Sequence, residues 1–292
     1  MTEYALDGAR GRFHESLCQK VLGYRKTPSD TPNIADSNGP SGTTSKRIAR
    51  SIMEQIPFEP CCAPPSGQGA GTAFTACARD FLQESMDLLS RLRPWAFRLS
   101  MSQAKIGIGA FAQYAHLASV QSLIESNPDL RSWLGTDYLV TPDLMVLRMP
   151  YTDEELNGGE ALVGPGSSGG LSPARFATGD EDTLILHASV SCKWTIRSDR
   201  AQNSRLEGLN LLRNRKGRAP HICSLTFEPL PSRIESVAAG TGDIDCVYHA
   251  ALYELQEATR LHGSSKEVAS LEAMLQGRRL RDISDLPLDL LL

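Results

Sequence analysis

The chain has 292 residues and a formal net charge of −4, and its hydrophobic fraction of 41% is ordinary for a globular protein. This length allows one large domain or two small ones with a sizeable core. No segment is long and apolar enough to cross a membrane, and the first residues lack the apolar core of a signal peptide. The seven cysteines show no CxxC pair and no metal-ligand spacing, which predicts free thiols and a cytoplasmic protein.

Helical and strand patterns alternate along the chain, which predicts an α/β fold. Apolar spacing predicts helices over residues 10–24, 45–56, 73–92, 111–126, 201–213, 244–261 and 266–275. Runs of apolar and β-branched residues predict strands over residues 95–99, 138–149, 184–194 and 222–227. Residues 151–182 are polar and rich in glycine, so we interpret them as a loop or insertion between two strands. The leucine-rich tail is typical of a segment that docks within the chain or at a subunit contact.

The predicted strand over residues 184–194 contains a lysine in an otherwise apolar run. Ser189, Ser191 and Lys193 are spaced by two and therefore share one face of the strand. Burial of an unpaired ammonium is costly, so Lys193 must reach water or face an anion or carboxylates. A strand end with a solvated charge cluster is the alternative interpretation.

Two carboxylates can join Lys193 in one site. Asp143 follows Pro142, which cannot donate to a sheet ladder and marks an irregularity in its strand, and Glu207 lies on the helix after Lys193. Two carboxylates and a lysine suit the metal-assisted hydrolysis of a phosphodiester. Mg²⁺ prefers oxygen ligands, which Asp143 and the backbone carbonyl of Cys192 can supply. An aspartate that only caps or turns the chain is the alternative for Asp143.

Basic residues are concentrated directly after this strand, which is typical of a surface that contacts DNA phosphates. Between positions 193 and 218 the sequence has eight basic and two acidic residues. Arg197, Asp199 and Arg200 stand at the start of a predicted helix, and such side chains can contact the guanine and cytosine edges of G·C pairs. A salt-bridged helix start is the alternative.

The series Pro142-Asp143, Ser191-Cys192-Lys193 and Glu207 resembles the active-site motif of the type IIF restriction endonucleases of the NgoMIV kind. These enzymes belong to the PD-(D/E)xK nuclease superfamily, in a variant whose second carboxylate lies on the helix after the lysine strand. The resemblance extends to YAHL at 114–117, PSRI at 231–234, GTGDIDCVYHAALYEL at 240–255 and RDISDLPLDL at 281–290. It covers nearly the whole chain, which we interpret as a single endonuclease domain over 1–292, and is weakest in residues 1–64 and 151–182.

The resemblance implies a restriction-endonuclease-like fold, with a central mixed β-sheet flanked by helices on both faces. It implies a homotetramer, a dimer of dimers, that cleaves double-stranded DNA with Mg²⁺ around a CCGG core. The expected site is GCCGGC, cut to leave 5′-CCGG overhangs. The implied metal ligands are Asp143 and the Cys192 carbonyl, and the implied catalytic residues are Asp143, Ser191, Lys193 and Glu207. The implied DNA-binding residues are Arg197, Asp199 and Arg200 for the CCGG core, Arg233 for the outer base pair and Gln68 for the minor groove.

One position departs from the family's pattern. The family has a glutamate in an Ala-Phe-Glu context at the start of its long helix, whereas Ala73-Phe74 is followed here by Thr75. Either the acid is dispensable, or a neighbour such as Asp80 replaces it, or its loss reduces activity. A sequence-specific DNA-binding protein of the same fold with impaired cleavage is therefore an alternative function. A repair or packaging nuclease without sequence specificity is a third.

Overall fold

The structure is a computed structural model that describes residues 4–25, 30–36, 42–92, 97–101, 107–126, 142–175, 184–196, 198–240 and 242–292. The side chains of residues 97, 98, 100, 101, 119–121, 124, 125 and 198–202 lie outside this description.

Helices make up most of the regular structure in the described ranges. They are α1 (Ala5–Lys20), α2 (Gly42–Gln55), α3 (Gly67–Leu89), α4 (Ala115–Ser126), α5 (Asp153–Asn157), α6 (Ser198–Asn214), α7 (Pro231–Ala238), α8 (Leu252–His262), α9 (Ser265–Gln276) and α10 (Leu286–Asp289). Each predicted helix overlaps one of these. Among the helices that the structure describes, none has the length and apolar character needed to span a bilayer.

Six strands form one mixed sheet. They are β3 (Phe97–Met101), β4 (Leu144–Arg148), β5 (Ile185–Lys193), β6 (His221–Thr226), β7 (Cys246–His249) and β8 (Leu280–Asp282), while β1 (Tyr24–Arg25) and β2 (Thr31–Pro32) form a separate pair. The spatial order follows the chain order from β3 to β8. The pairs from β3 to β5 are antiparallel, and those from β5 to β8 are parallel. The predicted mixed sheet is therefore confirmed.

Helices cover both faces of the sheet at β5. Every residue from Leu186 to Cys192 is buried, which is typical of a strand covered on both sides. On one face, the Cys192 thiol lies against the Thr75 side chain on α3. On the opposite face, Ser191 Oγ lies 3.0 Å from Ser204 Oγ on α6. Because neighbouring strand residues point to opposite faces, these contacts place α3 and α6 on different sides.

The predicted helix over residues 244–261 is wrong in its first part. The residues of β7 pair in parallel with β6, and α8 begins only at Leu252. All four residues of β7 are buried, so the strand lacks the alternation that would separate it from a helix. The predicted docking tail packs within the chain, since Leu286 and Leu290 are buried, and it contributes β8, which the sequence patterns did not reveal.

Candidate active site

Asp143 and Lys193 meet at the carboxyl-terminal end of β5. Lys193 Nζ donates to Asp143 Oδ2 at 2.8 Å, and the backbone amide of Cys192 donates to the same oxygen at 2.9 Å. Leu144 pairs with Val190, so the start of β4 brings Asp143 beside the last residues of β5. The Lys193 side chain is 16% exposed and that of Asp143 is 35% exposed, so the pair is partly accessible to solvent at the end of the strand.

Glu207 approaches the same strand end from α6. Ser191 Oγ lies 3.0 Å from Ser204 Oγ and donates to Glu207 Oε2 at 3.5 Å, the long end of the hydrogen-bond range. The neighbouring Gly208 allows this close packing, because a Cβ at that position would lie 2.4 Å from the carbonyl oxygen of Asp243. This packing sets the position of α6 relative to β5 and brings Glu207 next to Ser191.

The three charged groups influence one another's protonation. Burial alone would lower the pKa of Lys193, but Asp143 and Glu207 outweigh it and leave that pKa above its usual value. Burial raises the pKa of Glu207, with Asp143 adding to the rise and Lys193 opposing it. Lys193 is therefore a cation at neutral pH, held between two acidic side chains.

The donor set of this cluster suits a hard divalent cation. Both hydrogen bonds to Asp143 fall on Oδ2, which leaves Oδ1 as a second oxygen of the same carboxylate. Within the described residues there is no group of three or more His, Cys, Asp or Glu side chains that could hold a metal ion. A metal here would therefore need backbone or water oxygens besides Asp143, which fits Mg²⁺ because this ion keeps several waters.

Thr75 lies behind this cluster on α3. The residue is 6% exposed, its hydroxyl donates to the carbonyl oxygen of Gly71 at 3.0 Å, and its side chain lies against the Cys192 thiol. Position 75 therefore contacts the strand that carries Lys193. Asp80 forms surface ion pairs with Arg79 at 2.6 Å and Lys20 at 3.9 Å, so it is directed away from the cluster and does not replace the missing acid.

The predicted DNA-binding residues are not all within the described part of the chain. Arg197 lies outside the described residues, and Asp199 and Arg200 lie in the first turn of α6 with undescribed side chains. Gln68 is exposed at the start of α3. Arg233 lies on α7, where its Nη2 donates to Asp36 and its Nη1 lies 3.8 Å from Glu228 Oε1.

The basic stretch from Lys193 to Arg218 does not form one surface, which corrects the interpretation of it as a single phosphate-contacting region. α6 has 17 residues and is about 25 Å long, so it carries its last turn to the opposite end of the sheet. There the amide of Lys216 donates to Gln113, whose side chain donates to Leu186 at the start of β5. Only the first part of the basic stretch therefore lies near the cluster.

Sequence patterns missed two acidic residues that contact Arg233. Asp36 lies in a stretch rich in Pro, Ser, Asn and Gly, and Glu228 lies two residues beyond the end of β6. A carboxylate directly after the predicted strand over residues 222–227 was the one available signal for Glu228.

Comparisons with known proteins add an independent finding. The family model described as NgoMIV restriction enzyme matches residues 13–292. The Type II restriction enzyme NgoMIV of Neisseria gonorrhoeae is 45% identical over 259 residues, which cover 88% of this chain and 89% of that protein. The range that the family model matches includes every residue of the cluster.

Proposed function

The chain belongs to the NgoMIV restriction enzyme family and is a type II restriction endonuclease, and from this premise we propose that it cleaves double-stranded DNA at GCCGGC. The cut leaves 5′-CCGG overhangs. The observation that carries the proposed chemistry is the contact of Lys193 with Asp143 beside Glu207. A cation beside two acids at the partly exposed carboxyl-terminal end of β5 suits a reaction that handles a phosphate and a divalent ion together.

We assign the catalytic steps to side chains of this cluster. Asp143 and the Cys192 carbonyl would hold Mg²⁺, and the bound ion would lower the pKa of a coordinated water and offset phosphate charge. Lys193 binds a nonbridging oxygen of the scissile phosphate and stabilises the charge that develops there. Glu207 orients the attacking water, and Ser191 holds Glu207 through the 3.5 Å hydrogen bond.

The proposed specificity comes from residues on α3, α6 and α7 and from Arg197. Arg197, Asp199 and Arg200 contact the CCGG core in the major groove, and Arg233 contacts the outer base pair. Gln68 reaches the minor groove. The remaining parts of the proposal are a single endonuclease domain over 1–292, a homotetrameric dimer of dimers that engages two DNA sites, and a cytoplasmic location.

Cleavage of short duplexes tests the specificity. Purified protein is incubated in Mg²⁺ with a labelled duplex carrying GCCGGC and with a control duplex of equal composition carrying GGCGCC. The expected result is one cut per strand, before the first C of the CCGG core, in the first duplex alone. Equal cutting of both duplexes would refute the specificity and favour the nonspecific nuclease.

A DNA-binding protein with impaired cleavage is the second candidate, and Thr75 is the observation that favours it. Position 75 contacts Cys192 but supplies no carboxylate to the cluster. Retarded migration of the GCCGGC duplex in Ca²⁺, with the same duplex left intact in Mg²⁺, would identify this second function.

A further inference from the structure

A buried carboxylate, Glu228, contacts the two segments that carry the proposed base-contacting residues. It is 1% exposed and lies two residues beyond the end of β6. Its Oε2 accepts a hydrogen bond from the backbone amide of Ile196 at 2.9 Å. Ile196 is the residue before Arg197, so this bond fixes the chain where the predicted core-contacting segment begins.

The second oxygen of Glu228 is directed towards α7. Oε1 accepts a hydrogen bond from the backbone amide of Leu230 at 3.2 Å and lies 3.8 Å from Arg233 Nη1. The guanidinium of Arg233 also binds Asp36, so it is held between two acids. One side chain thus joins the backbone before residue 197 to the arginine proposed for the outer base pair.

Burial makes these contacts costly to maintain. It raises the pKa of Glu228 to about 7, because a charged carboxylate loses its hydration there, although Ile196, Arg233 and Leu230 oppose the rise. A glutamine of the same shape would bury no charge at this position. The two carboxylate oxygens of Glu228 accept hydrogen bonds from two separate segments. A neutral glutamine, which has one acceptor oxygen, would not provide both contacts in this way.

We propose that Glu228 is a positioning residue that couples the segment at 197–200 to Arg233, so that contacts with the CCGG core and with the outer base pair are set together. This inference rests on the proposed function, because it concerns the residues assigned there to DNA contacts. Loss of the coupling weakens discrimination at both parts of the site, although Glu228 itself touches no base.

The test compares Glu228→Gln with a closely matched control, Asp282→Asn. Asp282 on β8 is also buried. Its carboxylate accepts hydrogen bonds from the backbone amides of Leu252 at 3.0 Å and Ser284 at 3.1 Å, and from the Arg10 guanidinium at 2.9 Å. It contacts neither proposed DNA-binding segment through these bonds. A general effect of removing a buried, arginine-paired acid therefore appears in both variants.

Two readouts separate positioning from a purely structural role. Binding in Ca²⁺ is measured for GCCGGC, for ACCGGT with altered outer pairs and for GCGCGC with an altered core. In Glu228→Gln we expect both discrimination ratios to fall about tenfold, within the range of one lost base contact. Hydrogen exchange of the DNA-free protein should quicken together in peptides covering residues 194–202 and 228–236. Asp282→Asn should change neither readout.

The outcomes distinguish this inference from the proposed function. If wild-type protein binds all three duplexes equally, the proposed specificity fails and the coupling fails with it. If wild-type discrimination is present and survives in Glu228→Gln, or if only the outer ratio changes, the coupling alone is refuted. Glu228→Asp keeps the charge but shortens the side chain, and gives the same comparison if the glutamine variant does not fold.

Discussion

Replacement of Lys193 by methionine removes the cation of the cluster while keeping most of the packing of its side chain. Two unit charges 2.8 Å apart, as in the contact with Asp143, attract by about 6 kcal/mol at an effective dielectric constant of about 20. Desolvation of the ammonium and solvent access to Asp143 offset most of this attraction. The free energy of unfolding should therefore fall by only about 1 kcal/mol.

Cleavage should lose far more than stability. Removing one group that stabilises transition-state charge lowers the rate by about 10²–10³-fold. Because the loss of Lys193 would also leave Asp143 and Glu207 without their counter-charge, we expect single-turnover cleavage to slow by at least about 10³-fold, or about 4 kcal/mol. Binding in Ca²⁺ should stay within about threefold of wild type, because Lys193 reads no base in the proposed site.

The assay is single-turnover cleavage of the GCCGGC duplex in Mg²⁺, with binding measured in Ca²⁺ and urea unfolding as a check on folding. Lys216→Met serves as the control, because Lys216 is exposed two residues beyond the far end of α6. Normal cutting by Lys193→Met would refute the assignment of the active site. Equal losses in both lysine variants would show that general charge, rather than position, determines the rate.

Thr75→Glu should lower the half-saturating Mg²⁺ concentration for cleavage about tenfold, because it adds a carboxylate beside Cys192; magnesium titrations measure this. Arg200→Ala should weaken specific binding by about 1–3 kcal/mol, whereas Arg213→Ala at the far end of α6 should leave it nearly unchanged in Ca²⁺ titrations. His187 is buried, and burial lowers its pKa from 6.5 to about 4. Between these two pKa values the unfolded chain binds more protons than the folded protein. The free energy of unfolding therefore falls as pH falls through this range. In urea unfolding over this pH range, the free energy of unfolding of His187→Gln should fall by about 1.4 kcal/mol less per pH unit than that of wild type.

Each of these predictions can fail clearly. An unchanged magnesium requirement in Thr75→Glu would mean that position 75 does not reach the metal. Similar losses in the two arginine variants would restore the interpretation of the basic stretch as one DNA-contacting surface. Parallel stability curves for wild type and His187→Gln would mean that this imidazole titrates normally in the folded state.

The strand that carries Lys193 could be predicted from sequence because its chemistry is local. A lysine two positions after a serine, in an apolar run, marks both the strand and its unusual face. The approach of Asp143 and Glu207 was predicted from the same logic and from family resemblance. Their contacts with Lys193 and Ser191 depend on sheet pairing and on the packing of α6 at Gly208, which no local pattern specifies.

Other features could not be predicted because they depend on tertiary structure. The strand β7 is buried on both faces, so its residues also fit a helical period. The separation of the basic stretch depends on the direction in which α6 runs, whereas sequence shows only that the charges are neighbours. The contacts of Arg233 with Asp36 and Glu228 join segments far apart in the chain.

Sequencing of the ends formed from a plasmid with two GCCGGC sites, incubated in Mg²⁺ with wild-type protein and in parallel with Asp143→Asn, tests the proposed site and specificity together. We predict discrete wild-type cuts that leave 5′-CCGG overhangs and an intact plasmid with Asp143→Asn. Cuts at other sequences would contradict the proposed specificity, and equal cutting by Asp143→Asn would contradict the active site.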